Sequence, residues 1–477
     1  MSDYTVPIII NDEERHTPNL FEVVNPSNGQ VCHRSVAATP EDAIAAVEAS
    51  AIALAKWRNS LPSFRRDIFL KAAEIMEKRW KELSEYMTIE TGSSEGWIAF
   101  SLNNAVDLLR DIAGRVSSIV GTVPTCSDPE RSAMIFKEPY GVVFAVVPWN
   151  SPYILGMRAI ILPIAAGNTV VLKGSELSPR CLWAIVSVLQ QAGLPKGVLN
   201  FISTNPPLAS SVTQAVISHP EVKKITFTGS TAVGRIVATL AAENLKPVVL
   251  ELGGQGSTIV WDDADLDMAA KCTVAGAFMY AGQCCMSTER VIVHKTVRQE
   301  FEKKLLAAIP TVFPSKDELT LMINVNGVDK VQQLLKDAKN KGASMTQIDI
   351  NSADSSNPAN RFQPTILSGV TPDMDIYKCE NFGPTASLFE VSTEEEAISI
   401  VNDTKYGLFS AVFTEDLRRG LRLAHDIEAG SVHINNMSIH DESVLPHGGC
   451  KSSGYGRFNT EVGLSEWLRT KNVTWRK

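Results

Sequence analysis

Gly141-Val142-Val143-Phe144-Ala145-Val146-Val147-Pro148-Trp149-Asn150 decides how the chain is read. Its unbroken apolar run is too short for an ordinary helix and rich in β-branched residues, so it reads as a strand buried on both faces. Pro148-Trp149-Asn150 closes it. Similar apolar runs recur at 169–172, 198–202, 224–227 and 247–250, with helical stretches at 179–192, 206–218 and 231–244 between the later ones. Buried strands alternating with helices predict a parallel sheet covered on both faces, with ligand sites beyond the carboxyl ends of its strands. A second βα series is expected over 265–435, with strands near 290–293, 386–389 and 408–413. Before the first series the chain reads as short strands at 6–10 and 21–24, a turn at 25–29, and a helix starting at Pro40 with Thr39 as its cap. Further helices follow at 63–91 and 103–116. Residues 120–138 are extended, because Pro124 and Pro129 interrupt any helix.

With 477 residues the chain is long enough for two or three domains, at about 150 residues each. Lys plus Arg number 45 against 53 Asp plus Glu, a net charge of -8, which disfavours a nucleic-acid partner. No apolar window is long enough to cross a membrane and the first residues carry no export signal, so a cytoplasmic location is expected. The eight cysteines (Cys32, Cys126, Cys181, Cys272, Cys284, Cys285, Cys379 and Cys450) include no CxxC pair, and the histidines are not spaced to complete a zinc site. A disulfide scaffold is disfavoured and no metal is expected. The dinucleotide signature GxGxxG is absent, so any nicotinamide site is of another kind.

Chemistry-bearing residues cluster at element ends. Gly282-Gln283-Cys284-Cys285 lies in a turn ahead of a strand; a lone cysteine is ordinarily a small apolar core residue, and a turn position leaves a nucleophile open. Glu251 ends the fifth strand of the first series, ahead of Leu252-Gly253-Gly254, where it is either a surface or loop salt-bridged carboxylate or, by its place at a strand's carboxyl end, a functional one. Asn150 ends the first strand, as a turn residue or an amide donor. Phe227-Thr228-Gly229-Ser230 ends the fourth strand and opens a helix, a place suited to a phosphate.

Seven motifs in this order resemble the NAD(P)-dependent aldehyde dehydrogenase superfamily: Pro148-Trp149-Asn150, Lys173-Gly174-Ser175-Glu176, Phe227 to Ser230, Glu251 to Gly254, Gly282 to Cys285, Glu380-Asn381-Phe382-Gly383-Pro384, and Tyr406-Gly407-Leu408. The likeness runs from Asn25-Pro26 to Gly454-Tyr455-Gly456-Arg457. It implies an α/β fold with two parallel-sheet domains and a small β oligomerisation extension. The divisions expected are 1–119 and 139–251 for NAD binding, 252–447 for catalysis, and 120–138 with 448–477 for the extension. Cys285 matches the nucleophile, Glu251 the general base and Asn150 the oxyanion donor. Lys173 and Glu176 match residues that hold the adenosine ribose. Gly229 and Ser230 match the diphosphate end, Glu380 and Phe382 the nicotinamide ribose and ring, with Pro148, Trp149 and Leu252 lining the same site.

The resemblance implies oxidation of an aldehyde to a carboxylic acid through a Cys thiohemiacetal and thioester. A carboxylate at Glu176 would repel a 2′-phosphate, so NAD is preferred over NADP. Met286-Ser287-Thr288-Glu289-Arg290 and the stretch from Pro152 to Arg158 resemble the salicylaldehyde, vanillin and benzaldehyde branch. Arg158 is then a cation in the substrate funnel or a surface salt bridge, and Tyr153 and Trp97 are funnel walls or core aromatics. Cys284 is the variable neighbour of the nucleophile. Departures are Tyr280 for the usual Asn, Gln255 for Lys, Gly174 for Pro, His447 for Phe near the substrate mouth, and the lack of a Gly-Pro-Leu segment between Phe313 and Asn326. Aliphatic aldehyde or semialdehyde oxidation, and a catalytically silent binding or structural member, stand as alternatives. A homodimer or homotetramer is expected, with a small-molecule aldehyde and no nucleic acid or membrane as partner.

Overall fold

The computed structural model describes residues 4–313, 321–348 and 358–476. Part of the 313–326 stretch and residues 1–3 therefore lie outside the described residues. Two sheets carry the molecule. The first has eight strands in the order Gly454–Tyr455, Val248–Glu251, Val222–Thr228, Val142–Val146, Thr169–Lys173, Leu199–Ile202, Ile8–Ile10, Glu13–Arg15. Its five central strands are parallel and its outer pairings antiparallel. Chain order runs outward from Val142–Val146 in both directions. The crevice beyond that strand's carboxyl end is therefore a topological switch point, and Pro148-Trp149-Asn150 stands there.

The second sheet has seven strands in the order Ser344–Gln347, Thr365–Ser368, Thr385–Val391, Thr288–His294, Gly256–Val260, Phe409–Phe413, Ser431–Ile434. All are parallel except the first. Its middle strands are buried on both faces, as their apolar composition demands. Every residue of the helix Pro152–Ala165 is also buried, and helix periodicity is lost when all faces are apolar. That helix is not legible as a separate element in the sequence. The helix Pro40–Trp57 opens with a capping box, the Thr39 side chain accepting from the Asp42 N–H and the Asp42 carboxylate accepting from the Thr39 N–H, as the Thr39-Pro40 start predicts. The single helix expected at 63–91 is two, Pro62–Lys78 and Trp80–Thr91, and the one expected at 103–116 begins earlier, at Glu95 behind the Ser94 cap.

One expected division needs correction. Residues 448–477 do not all belong to the extension: Gly454–Tyr455 returns antiparallel to Val248–Glu251 at the edge of the first sheet. Only Leu468–Arg476 pairs with Arg131–Pro139, as a two-stranded antiparallel ribbon. A lone ribbon cannot bury its own apolar side chains, and Met134, Phe136, Val473 and Trp475 are each at least 40% exposed.

Candidate active site

The nucleophile candidate is delivered by a strained turn. Tyr280 and Ala281 both adopt the left-handed conformation, with φ of 52° and 51°, followed by Gly282 at 68°. Two non-glycine residues in that region persist only where tertiary contacts impose them. The Tyr280 hydroxyl donates to Thr91 O at 2.6 Å, and its ring stacks on Trp97. Gln283 finishes the clamp, donating to Tyr280 O and Leu321 O and accepting the Ile323 N–H. Gly254 packs against this turn with no room to spare: a Cβ there would lie 2.1 Å from Cys285 O.

Cys285 Sγ donates to Glu251 Oε1 at 3.5 Å. Asn150 stands at the same point; its Nδ2 donates to Gln283 O at 3.1 Å, and its own carbonyl accepts the Trp97 indole N–H at 2.7 Å. The contact with Cys284, burial and the negative charge of Glu251 push the Cys285 thiol well up. Glu251 is 1% exposed. Burial alone would raise its carboxyl, yet the charges of His447 and Arg158 and the contacts with His447 and Cys285 hold it below the ordinary range. The pair is therefore a thiol beside a carboxylate.

Two spaces meet at this pair. A cleft of about 490 Å³ is lined by Pro148, Trp149, Thr228, Gly229, Ser230, Leu252, Gly253, Lys330, Glu380 and Phe382, along with the catalytic candidates. On the other side lies a recess of about 20 Å³ bounded by Trp97, Phe100, Ile154, Arg158, Cys284, Met286, Asp441 and His447. Asn150, Leu155, Glu251 and Cys285 line both. The structure thus brings together Cys285, Glu251 and Asn150 as a shared wall, with the resemblance-derived nicotinamide residues on one side and Arg158, Trp97, Cys284 and His447 on the other.

Three expected residues line neither of these two spaces. Tyr153 is not a funnel wall: it is fully buried in the core and its hydroxyl donates to Leu83 O at 2.5 Å. Its position one residue into the buried helix turns it away from the recess. Lys173 ends its strand beside Val146, and neither it nor Glu176 lines the cleft. Burial lowers the Lys173 ammonium, partly offset by Glu176.

Arg158 is neither a surface salt bridge nor a free cation. It is 2% exposed, paired with Asp441, and donates through Nε to Asn459 Oδ1 at 3.3 Å. Sequence reading missed Asp441, whose guanidinium partner Arg158 is 283 residues away in the chain. It also missed Glu289, whose Oε1 accepts the Asn381 and Phe382 N–H groups at 2.7 and 3.1 Å. Those contacts hold the turn in which Phe382 takes a φ of 52°. The adjacent Glu380 accepts the Gly254 N–H at 2.9 Å. The only signal for Glu289 was its place in a strand otherwise buried throughout.

The cleft fits a nicotinamide cofactor. Ser230 caps the helix Thr231–Glu243, leaving a helix N-terminus facing the cleft, and a Cβ on Gly253 would lie 2.5 Å from Glu380 Oε2, so only glycine leaves that side open. Among the described residues no group of three or more His, Cys, Asp or Glu side chains could hold a metal, and no helix is long and apolar enough to cross a membrane.

A family model described as "Aldehyde dehydrogenase family" matches residues 13–473. A vanillin dehydrogenase of Pseudomonas sp. (strain HR199 / DSM 7063) is 40% identical over 478 residues, covering 99% of this chain and 98% of that protein. A salicylaldehyde dehydrogenase of Pseudomonas putida is 40% identical over 462 residues, covering 95% and 94%. The crystal structure of a salicylaldehyde dehydrogenase from Pseudomonas putida G7 complexed with salicylaldehyde superimposes with a TM-score of 0.94 at 36% identity, covering 99% of this chain and 98% of that one. Family model, full-length identity and superimposable fold agree with the geometry: the chain belongs to the aldehyde dehydrogenase family, whose members use NAD(P), and it is an aldehyde-oxidising enzyme.

Proposed function

We propose that the enzyme oxidises aromatic aldehydes of the salicylaldehyde, vanillin or benzaldehyde type to their carboxylic acids, with NAD preferred over NADP. The observation that carries this reading is the wall of Cys285, Glu251 and Asn150 between the cofactor cleft and a recess walled by Trp97, Phe100 and Met286. Aromatic and thioether side chains suit an aryl ring, and the similarity to vanillin and salicylaldehyde dehydrogenases points the same way. The recess has room for about one water, so side chains lining it must shift to admit a ring.

Glu251, ionised and 3.5 Å from Sγ, accepts the thiol proton as sulfur attacks the aldehyde carbon. The C–S bond forms and the carbonyl electron pair moves to oxygen. Asn150 Nδ2, freed from Gln283 O, donates to that oxyanion. NAD supplies the acceptor for the hydride lost as the thiohemiacetal becomes a thioester. Glu251 releases the thiol proton to solvent, then takes a proton from the water attacking the thioester; the C–S bond breaks, the carboxylic acid leaves, and that proton returns to the departing Cys285 thiolate, restoring thiol and carboxylate. A base at this position favours hydrolysis over transfer of the acyl group to coenzyme A.

Glu176 supports the NAD preference by the charge argument above. The exposed apolar ribbon supports a homodimer or homotetramer, checked by sedimentation at micromolar concentration. A panel of aryl and straight-chain aldehydes with NAD and NADP, read as NADH or NADPH formation, tests the substrate and cofactor together. Higher kcat/KM for aryl aldehydes with NAD is expected; faster turnover of a straight-chain semialdehyde would overturn the aryl reading.

A further inference from the structure

Behind the general base lies a line of buried charge that the reaction as described does not use. His447 Nε2 is 3.2 Å from Glu251 Oε1, and its Nδ1 is 3.4 Å from Asp441 Oδ1. Neither contact is aligned as a hydrogen bond, so they are contacts of charge rather than of geometry. Beyond Asp441 stands Arg158. His447 is 1% exposed and the Arg158 and Asp441 side chains 2% and 5%.

The backbone fixes this line. His447 N donates to Phe458 O at 3.0 Å and Phe458 N donates to His447 O at 2.8 Å, clamping the histidine on both sides. Asn459, next to Phe458, donates through Nδ2 to Glu442 O and Leu445 O, which closes the loop carrying Asp441 and His447. Main-chain pairing thus fixes where His447 stands, and its imidazole lies between Glu251 and Asp441.

Charge decides its state. Glu251 and Asp441 are two buried carboxylates, and Arg158 is one buried cation. Without a proton on His447 the cluster holds an uncompensated negative charge out of water; with one it is neutral. The groups facing the imidazole are Glu251 from its strand, Arg158 from the buried helix and Asp441 from its own loop, with the Phe409 ring 5.2 Å away. Burial and Arg158 push the imidazole down, yet Asp441 and Glu251 outweigh them and raise it.

We propose that His447, between Asp441 and Glu251, is a positioning residue for Glu251: it carries the proton whose charge keeps the buried base ionised beside Cys285. This rests on the hydrolytic reading above and deepens it. The aryl or alkyl nature of the substrate does not enter.

The test is deacylation measured against pH in His447→Phe and His447→Asn, with stopped-flow NADH formation giving the burst and the steady rate separately. Both variants remove the cation, and burial of Glu251 is then unopposed by it. The acid limb of steady turnover is expected to move to higher pH by at least about one unit, a tenfold loss at pH below that limb. NAD binding by tryptophan fluorescence stays at the parent value, since His447 does not line the cofactor cleft. Folding is verified by the same NAD titration, and the polar His447→Asn guards against a loss of packing in His447→Phe. An acid limb coincident with the parent's, or a change confined to KM for the aldehyde, overturns the proposal and leaves His447 a wall of the recess. Steady NADH formation by the parent enzyme without release of an equal amount of free carboxylic acid overturns instead the hydrolytic reading.

Discussion

The Trp97 indole N–H donates to the backbone carbonyl of Asn150 at 2.7 Å, so an aromatic side chain on one helix fixes the main chain that carries the proposed oxyanion donor. Trp97 is 1% exposed and stacks between Phe100 and Tyr280, the latter part of the strained turn that carries Cys285. Its place in the structure thus joins the two roles left open for it: core aromatic and wall of the recess.

Removing the donor itself should cost most. Asn150→Ala is expected to lower kcat on the order of 10² to 10³, about 3 to 4 kcal/mol of barrier, with NAD binding unchanged. Trp97→Phe keeps the stack and loses only the hydrogen bond, so its kcat should fall less, leaving Asn150→Ala as the ceiling. Single-turnover kinetics of both variants provides the comparison; equal losses would mean that Trp97 does more than orient Asn150.

Cys285→Ala should abolish NADH formation altogether. Glu251→Gln should keep an early burst at high pH, where the thiol ionises without help, and lose steady turnover because no base remains for the water. Stopped-flow absorbance separates the two phases, and steady turnover in Cys285→Ala would be incompatible with the thioester mechanism.

Gly254 is where backbone meets backbone. In Gly254→Ala the new Cβ would lie 2.1 Å from Cys285 O, and main chain cannot yield as a side-chain tip can. Displacement of the nucleophile loop by about 1 Å is expected to cost about 100-fold in kcat/KM. The measurement is steady-state turnover of a variant shown by circular dichroism to be folded.

Arg158→Ala leaves the Asp441 carboxylate buried without its cation, a loss of roughly 3 to 5 kcal/mol of stability in urea titration. The loss should depend on pH. Burial would raise the Asp441 carboxyl, but the charges of Arg158 and His447 outweigh it and hold it far below the ordinary range. A depressed carboxyl stabilises the fold above its unfolded pKa, about 3.9, and that stabilisation disappears as pH falls through the folded value. The gap between parent and variant should therefore be full at pH 6 and narrow in acid.

Glu289 titrates in the opposite sense. Burial, and then the charge of Glu380, push its carboxyl up to about 8, against two N–H donors that favour the ion. A raised carboxyl contributes stability that is full below its unfolded pKa and is lost as pH rises through the folded value. Glu289→Gln imitates the protonated form, so its melting temperature should exceed the parent's above pH 8 and the advantage should shrink toward pH 5. Scanning calorimetry at the two pH values decides it.

Much of the architecture was readable because it is local. Gly141 to Val147 had to be a buried strand, and chain order outward from it placed Asn150 at a switch point. Ordered motifs singled out Cys285, Glu251 and Asn150, and the structure brings these residues together from three separate elements. The buried helix Pro152–Ala165 was invisible because a helix apolar on every face has no periodicity, and Tyr153 was assigned to the wrong surface for the same reason. Residues 448–467 could not be divided between sheet and ribbon, since strand pairing depends on partners some two hundred residues away.

What the sequence determined by itself is the set of local preferences and the ordered motifs: the α/β alternation, the capped helix at Pro40, the family and its three candidate catalytic groups. Only the tertiary structure decided what those groups feel. His447 read as one departure at the substrate mouth, and Arg158 as a funnel cation or a surface ion; folding places both with Asp441 behind Glu251, out of water. Electrostatic energy depends on distance and on the exclusion of solvent, and neither quantity exists until residues 158, 251, 441 and 447 are brought to one point.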